Sequence, residues 1–147
     1  MTEASGARPM ASYIEISADG TPRLRGYRCE ACGEVLQAAH RACPNCAAVG
    51  QMQPVRLSDR GVLYSYTIVH RSFPGVKTPL ISAVVRMDDG VFIKGNLDDV
   101  APRPEAIAFD MPVRLELETM EAQDEQGGRL IRPVFRPVGK SDQEVDR

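Results

Sequence analysis

Two C-x2-C pairs, Cys29-Glu30-Ala31-Cys32 and Cys43-Pro44-Asn45-Cys46, stand ten residues apart and constrain this chain more than any other feature. Two residues between thiols let both sulfurs turn toward one ion while backbone N–H groups point at them. Two such knuckles joined by a hairpin present four sulfurs in the tetrahedral array that zinc takes at about 2.3 Å from sulfur. Gly33 follows the first knuckle, where a backbone with φ > 0 is easily accommodated. The four cysteines are all that the chain has, so none is left over. The spacing therefore predicts one structural zinc ion on Cys29, Cys32, Cys43 and Cys46. A pair of disulfides is the alternative, disfavoured if thiols stay reduced. Iron in a four-thiolate site is the second alternative, since tetrahedral sulfur suits both metals. Catalytic zinc fits less well, because four thiolates close the shell that a catalytic site keeps open. His40, between the knuckles, reads as a solvated loop residue or a hydrogen-bond partner.

From Gly61 onward the chain reads as strand after strand. Val62, Tyr64, Tyr66 and Ile68 alternate along residues 61–70 and are expected on one face. Ile81, Ala83, Val85 and Met87 repeat the pattern along 80–87. Asp88-Asp89-Gly90 then signals a hairpin, with 91–97 as the return strand. Residues 102–109 are expected to hold a short helix starting at Pro104. Val113, Leu115 and Leu117 alternate with Arg114, Glu116 and Glu118, which predicts a strand buried on one face and wet on the other. Gln126-Gly127-Gly128 supplies the next turn, and 130–135 closes the set. Five strands, with a short helix between the third and fourth, match the order of an OB-fold barrel; periodicity alone equally permits a small open sandwich.

The expected organisation is an N-terminal segment at 1–23, a zinc ribbon at 24–50, a barrel at 51–139 and a loose tail at 140–147. Residues 1–11 are small and polar and are expected to be disordered. Residues 13–16 form a short strand ahead of the turn-prone Ala18-Asp19-Gly20-Thr21-Pro22. The fold class is thus mainly β, a rubredoxin-like ribbon followed by a five-stranded OB-fold barrel.

Composition narrows the function. Lys plus Arg number 18 against 20 Asp plus Glu, for a formal charge of −2, and aromatics are only 5%. Single-stranded nucleic-acid binders need a basic groove with aromatic platforms, so that function remains only as the alternative. No apolar run approaches the roughly 20 residues that span a bilayer, and residues 1–10 lack the pattern of a signal peptide, so a cytoplasmic location without a membrane is expected.

No catalytic set is visible. The thiols are committed to metal, and His70 shows no orienting acid. Asp88-Asp89 and Asp98-Asp99 read as solvated turn residues, and Glu116 and Glu118 as an exposed strand face. The most suggestive stretch outside the cysteines is Arg71-Ser72-Phe73-Pro74-Gly75-Val76-Lys77, where an aromatic flanked by cations suits a partner or a phosphate surface. Arg71, Phe73 and Lys77 are its candidate contact residues, against the alternative of an ordinary mobile loop.

The runs Tyr27-Arg28-Cys29-Glu30-Ala31-Cys32-Gly33-Glu34, Ala42-Cys43-Pro44-Asn45-Cys46 and Arg60-Gly61-Val62-Leu63-Tyr64-Ser65-Tyr66-Thr67-Ile68-Val69-His70 resemble a family long catalogued as a domain of unknown function, number thirty-five. So do Pro79-Leu80-Ile81-Ser82-Ala83-Val84-Val85, Phe92-Ile93-Lys94-Gly95-Asn96-Leu97 and Pro133-Val134-Phe135-Arg136-Pro137. The likeness runs over residues 24–138. It implies a rubredoxin-like zinc ribbon joined to an OB-fold, and a non-catalytic accessory role beside acyl-CoA enzymes. Implied partners are thiolase-fold proteins, namely thiolases, acyltransferases or aldolases, and in some members hydratase-type enzymes, with an acyl-CoA ligand as a further implication. Many relatives carry helical segments with an aromatic motif ahead of the ribbon; this chain has no Trp and a short lead-in there.

Overall fold

Extended chain dominates because short runs of alternating apolar and polar residues stand between Gly- and Pro-bearing turns. The computed structural model describes residues 6–121 and 127–139. Its strands are β1 (Ala7–Pro9), β2 (Ile14–Ile16), β3 (Pro22–Cys29), β4 (Val35–Leu36), β5 (Met52–Arg56), β6 (Arg60–Val69), β7 (Leu80–Met87), β8 (Phe92–Leu97), β9 (Pro112–Glu121) and β10 (Arg129–Pro137). The chain divides into two compact units. One takes Met1–Ser58, Asp89–Val91 and Thr119–Arg132; the other takes Asp59–Asp88, Phe92–Glu118 and Pro133–Arg147. The expected tail at 140–147 and the turn residue Gln126 lie outside the described residues.

In the second unit the strands follow one another in the order β10-β8-β7-β6-β9, and β9 pairs back to β10. That extra pairing closes a five-stranded barrel. The hairpins are antiparallel, whereas β10 runs parallel to β8, with Val134 opposite Asn96 and Phe135 opposite Leu97. This is the OB-fold arrangement, in which the last strand returns beside the third. Leu63, Val85, Ile93, Val113, Val134 and Phe135 are the largest fully buried side chains. Burying each contributes about 1.5–3 kcal/mol relative to leaving it in water.

One strand departs from simple alternation. Leu63 pairs with Val85 but Ser65 pairs with Val84, so Tyr64 is the extra residue of a bulge. The bulge switches which face each later residue presents. Ahead of it Gly61 and Leu63 oppose the buried Met87 and Val85; beyond it Tyr66 and Ile68 oppose the buried Ala83 and Ile81. The expected face of Val62, Tyr64, Tyr66 and Ile68 is therefore corrected: Tyr66 and Ile68 share it with Leu63, while Tyr64 is 58% exposed. Outside, the Tyr64 ring meets Phe92 edge-on at 4.9 Å.

Two more expectations are corrected. The helix expected at 102–109 is a single 3-10 turn, Pro104–Ala106, with no side-chain cap and extended backbone at Arg103 and Ile107. Pro104 opens that turn, and Asp110 at φ 65° ends the segment. Within residues 1–11, expected to be disordered, Ala7–Pro9 form β1, parallel to β10 from Ala7 opposite Arg129 to Pro9 opposite Ile131. The Met10 N–H donates to Ile131 O at 2.9 Å. Three residues recruited through their backbone to an open strand edge leave no side-chain period to read. Residues 1–5 lie outside the described residues.

In the first unit β3 is the long central strand. β2 pairs with its start, β4 and β5 with its end, and Cys29 closes it opposite Met52. Gly26 is required there: a Cβ on it would lie 2.6 Å from Leu57 Cδ2 and 2.7 Å from Leu36 O. The turn ahead of β3 is held by the Asp19 carboxylate, which accepts from the Ser17 hydroxyl and the Thr21 N–H. Those bonds pull the Asp19 carboxyl down to about 2.

Candidate metal centre

β3 delivers Cys29 at its end, and the chain then folds through two near-identical knuckles. In the first, the Gly33 N–H donates to Cys29 O at 2.7 Å and the Cys29 N–H to Glu34 O at 2.8 Å. In the second, the Ala47 N–H donates to Cys43 O at 2.8 Å and the Cys43 N–H to Ala48 O at 2.9 Å. Both turns need a left-handed residue after the second cysteine. Gly33 supplies it at φ 84°, and Ala47 supplies it at φ 65° despite its Cβ. A bridge between Ala42 and Val49 closes the second knuckle at its base.

These turns bring all four Sγ atoms within 4.8 Å of one another. Cys29 to Cys46 and Cys32 to Cys43, the pairs that cross between knuckles, are each 3.7 Å apart. A tetrahedron with metal–sulfur bonds of about 2.3 Å has sulfur–sulfur edges of about 3.8 Å, which these two distances match, so the donor set suits one ion. No disulfide joins them. The first cysteine of each knuckle is buried and the second is exposed. The centre is thus a closed four-sulfur cluster able to hold a metal ion, with no histidine or carboxylate among its ligand atoms. His40 lies in the exposed loop between the knuckles.

Asn45 has a part that its residue type did not reveal. Its side-chain amide donates to Cys32 Sγ across the two knuckles at 3.4 Å. That bond, followed by the Glu34 backbone, pulls the metal-free Cys32 thiol down to about 6. Cys46 runs the other way, to about 12: a hydrogen bond from the Ala48 backbone lowers it, but desolvation and the thiols of Cys32, Cys29 and Cys43 outweigh that. A bound divalent cation overrides both by binding thiolates outright.

Arg71, Phe73 and Lys77 lie in the connection from β6 to β7, remote in sequence from the cysteines. Phe73 is 82% exposed, and the Val76 N–H donates to Phe73 O at 3.1 Å, which makes a tight turn at Gly75 (φ 90°). Neither Arg71 nor Lys77 has an ion-pair partner among the described residues. His70 is exposed at the mouth of the same loop.

The carboxylates expected to be merely solvated are more organised than that. Asp89 accepts from the Ser58 N–H. Asp98, Asp99, Glu116 and Glu118 gather around the guanidinium of Arg136, with Asp99 at 3.1 Å and Asp98 at 3.9 Å. Arg114 adds a second cation, 2.9 Å from Glu116. Hydrogen bonds from Arg114 and then Arg136 hold the Glu116 carboxyl below its ordinary value. Alternation along β9 showed that Glu116 and Glu118 share a wet face, but their cation Arg136 stands on β10.

Comparison with known proteins places these features. Residues 54–118 match the family model described as the C-terminal OB-fold domain of ChsH2. A DUF35 domain-containing scaffold protein of Pyrococcus furiosus is 30% identical over 122 residues, covering 82% of this chain and 87% of the relative. The chain belongs to the DUF35 family. Within it, the benzoylsuccinyl-CoA thiolase subunit BbsA of Thauera aromatica is 31% identical over 126 residues, 85% of this chain and 84% of that subunit. Among solved structures, the Ltp2-ChsH2(DUF35) aldolase superposes with a TM-score of 0.62 at 31% identity, covering 78% of this chain and 84% of the matched one. The DUF35 assignment agrees with the resemblance carried by the cysteine runs and the barrel strands. No helix among the described residues is long and apolar enough to cross a membrane.

Proposed function

We propose that this chain is a non-catalytic accessory subunit of an acyl-CoA-processing complex. It binds a thiolase-fold partner, a thiolase, acyltransferase or aldolase, and helps to complete or stabilise that partner's acyl-CoA site. The observation that carries this reading is the extent of the likeness. BbsA is matched over 85% of this chain, ribbon and barrel together, and BbsA is named as a thiolase subunit. The DUF35 chain of similar fold belongs to an aldolase complex.

In this reading Cys29, Cys32, Cys43 and Cys46 hold one zinc ion, whose role is to keep the ribbon folded. Four thiolates leave no open position for water or substrate, so the ion supplies shape and no chemistry. Isolated zinc modules draw on the order of 10 kcal/mol of folding free energy from their metal, so Cys43→Ser unfolds the ribbon. Elemental analysis should return one zinc per chain, and a colourless protein separates zinc from red ferric iron. The exposed loop with Arg71, Phe73 and Lys77 contacts the partner or the phosphates of its acyl-CoA ligand, an aromatic and two cations being suited to either.

Affinity purification from the native host followed by mass spectrometry tests the assignment. A thiolase-fold protein should co-purify in stoichiometric amount; recovery of the chain alone, or with single-stranded nucleic acid, refutes it. Arg71→Ala combined with Phe73→Ala should weaken the complex and its activity, and an unchanged complex removes the loop from the interface.

A further inference from the structure

A second site is built on the ribbon sheet, away from the cysteines. Arg23, Arg25 and Tyr27 alternate along β3 and therefore share one face. Register places Glu15 of β2 opposite Arg23, and Arg56 of β5 opposite Arg25. Glu15, Arg23, Arg25 and Arg56, with Pro54, frame a cleft of about 280 Å³. Three guanidinium groups thus converge with one carboxylate, in a chain whose net charge is −2.

Two of the arginines are held in place. Glu15 takes Arg23 Nε at 3.3 Å and Arg25 Nη1 at 3.0 Å. The Arg25 guanidinium also lies 5.5 Å from the centre of the Tyr27 ring. Its Nε is shielded from solvent and has no hydrogen-bond partner. The third arginine, Arg56, has no ion-pair partner among the described residues. Arg25 and Arg56 stand directly across a strand pair, where Cβ atoms are about 4.5–5.5 Å apart and like charges repel. Such a pair is unfavourable by itself and becomes favourable once an anion sits between its members.

We propose that this cleft binds the phosphate end of a small phosphorylated ligand. Guanidinium forks match phosphate oxygens two at a time, and Glu15 and Tyr27 fix the orientation of the Arg25 fork before the ligand arrives. The cleft falls just short of the roughly 300–1,000 Å³ typical of sites that enclose a whole small molecule. It therefore takes the charged terminus and leaves the rest of the ligand outside. The site stands or falls independently of the partner assignment, because it needs no second protein.

The test uses the full metal-loaded chain and three probes: inorganic phosphate, inorganic pyrophosphate and adenosine 3′,5′-bisphosphate. Calorimetry should show saturable binding of at least one, and the arginine Nε–H NMR signal of Arg25 should shift on titration. Arg56 is exposed, so Arg56→Gln keeps the fold, which the unshifted remainder of the NMR spectrum verifies. That variant should weaken binding about ten-fold or more, the expected loss of a hydrogen bond to a charged group. Pyrophosphate binding as tightly as the nucleotide assigns the site to a bare phosphate group; tighter nucleotide binding extends it to the sugar and base. No saturable binding of any probe overturns the proposal, as does equal binding by Arg56→Gln.

Discussion

The two knuckles offer a paired experiment with opposite expected signs. They make the same two backbone hydrogen bonds, yet the left-handed position is glycine in one and alanine in the other. A residue with a Cβ in that region costs about 1–2 kcal/mol. Ala47→Gly removes this strain but frees the unfolded chain, which returns about 0.4–1 kcal/mol in the other direction. The net is a stabilisation of about 0.5–1 kcal/mol, or a two- to five-fold gain in an equilibrium constant. Gly33→Ala reverses both terms. A Cβ at Gly33 has nothing within 4 Å, so steric clash adds nothing and the loss should mirror the gain. With the ribbon folding around a metal ion as proposed, the readout is the chelator concentration that strips half of the metal from each variant. Ala47→Gly should raise that midpoint, Gly33→Ala should lower it, and the double variant should return close to wild type. A shift of both single variants in the same direction would refute the equivalence of the two turns.

Other perturbations test the barrel. Gly61→Ala places a Cβ 2.4 Å from Arg86 O and 2.8 Å from Met87 Cα, backbone atoms of the paired strand, so it should cost about 1–3 kcal/mol or more in urea unfolding. Phe135→Ala empties a fully buried site and should cost about 3–5 kcal/mol by the same measurement. Arg136→Gln should cost on the order of 1 kcal/mol at neutral pH, since its partners are one-third or more exposed. The Glu116 carboxyl is held below its ordinary 4.5, so its stabilisation is complete above that pH and lost as pH falls through the lower folded value. Wild type and Arg136→Gln should therefore converge in stability below pH 4.5, and a constant gap down to pH 2 would exclude the ion-pair explanation.

Legibility of the fold from sequence followed the range of the interactions involved. The metal centre was readable because both knuckles are local: two residues between thiols determine a turn whatever the rest of the chain does. Ile81, Ala83, Val85 and Met87 were readable because β7 is regular from end to end and all four are buried. The bulge at Tyr64 was not, because an extra residue leaves every side-chain type in place and changes only which partner each one faces. Asn45 and Arg136 were missed for a related reason. Each completes a group whose other members sit on a different knuckle or strand, and no spacing within one segment encodes that meeting. β1 escaped because three residues paired by backbone to β10 carry no side-chain period.

The position of β10 in the chain has a kinetic consequence. It pairs with β8 and β9 to close the barrel, and its first residues pair with β1, beside which the Arg8 guanidinium donates to Gly127 O across 119 residues of sequence. During synthesis the cysteine knuckles can close as soon as they emerge, since their loops are short. The barrel must instead wait, with its β8 edge unprotected, until residues near 137 leave the ribosome. The nascent chain is therefore most vulnerable to mispairing between the emergence of β8 and that of β10, and a partner or chaperone that covers that edge would act in that interval.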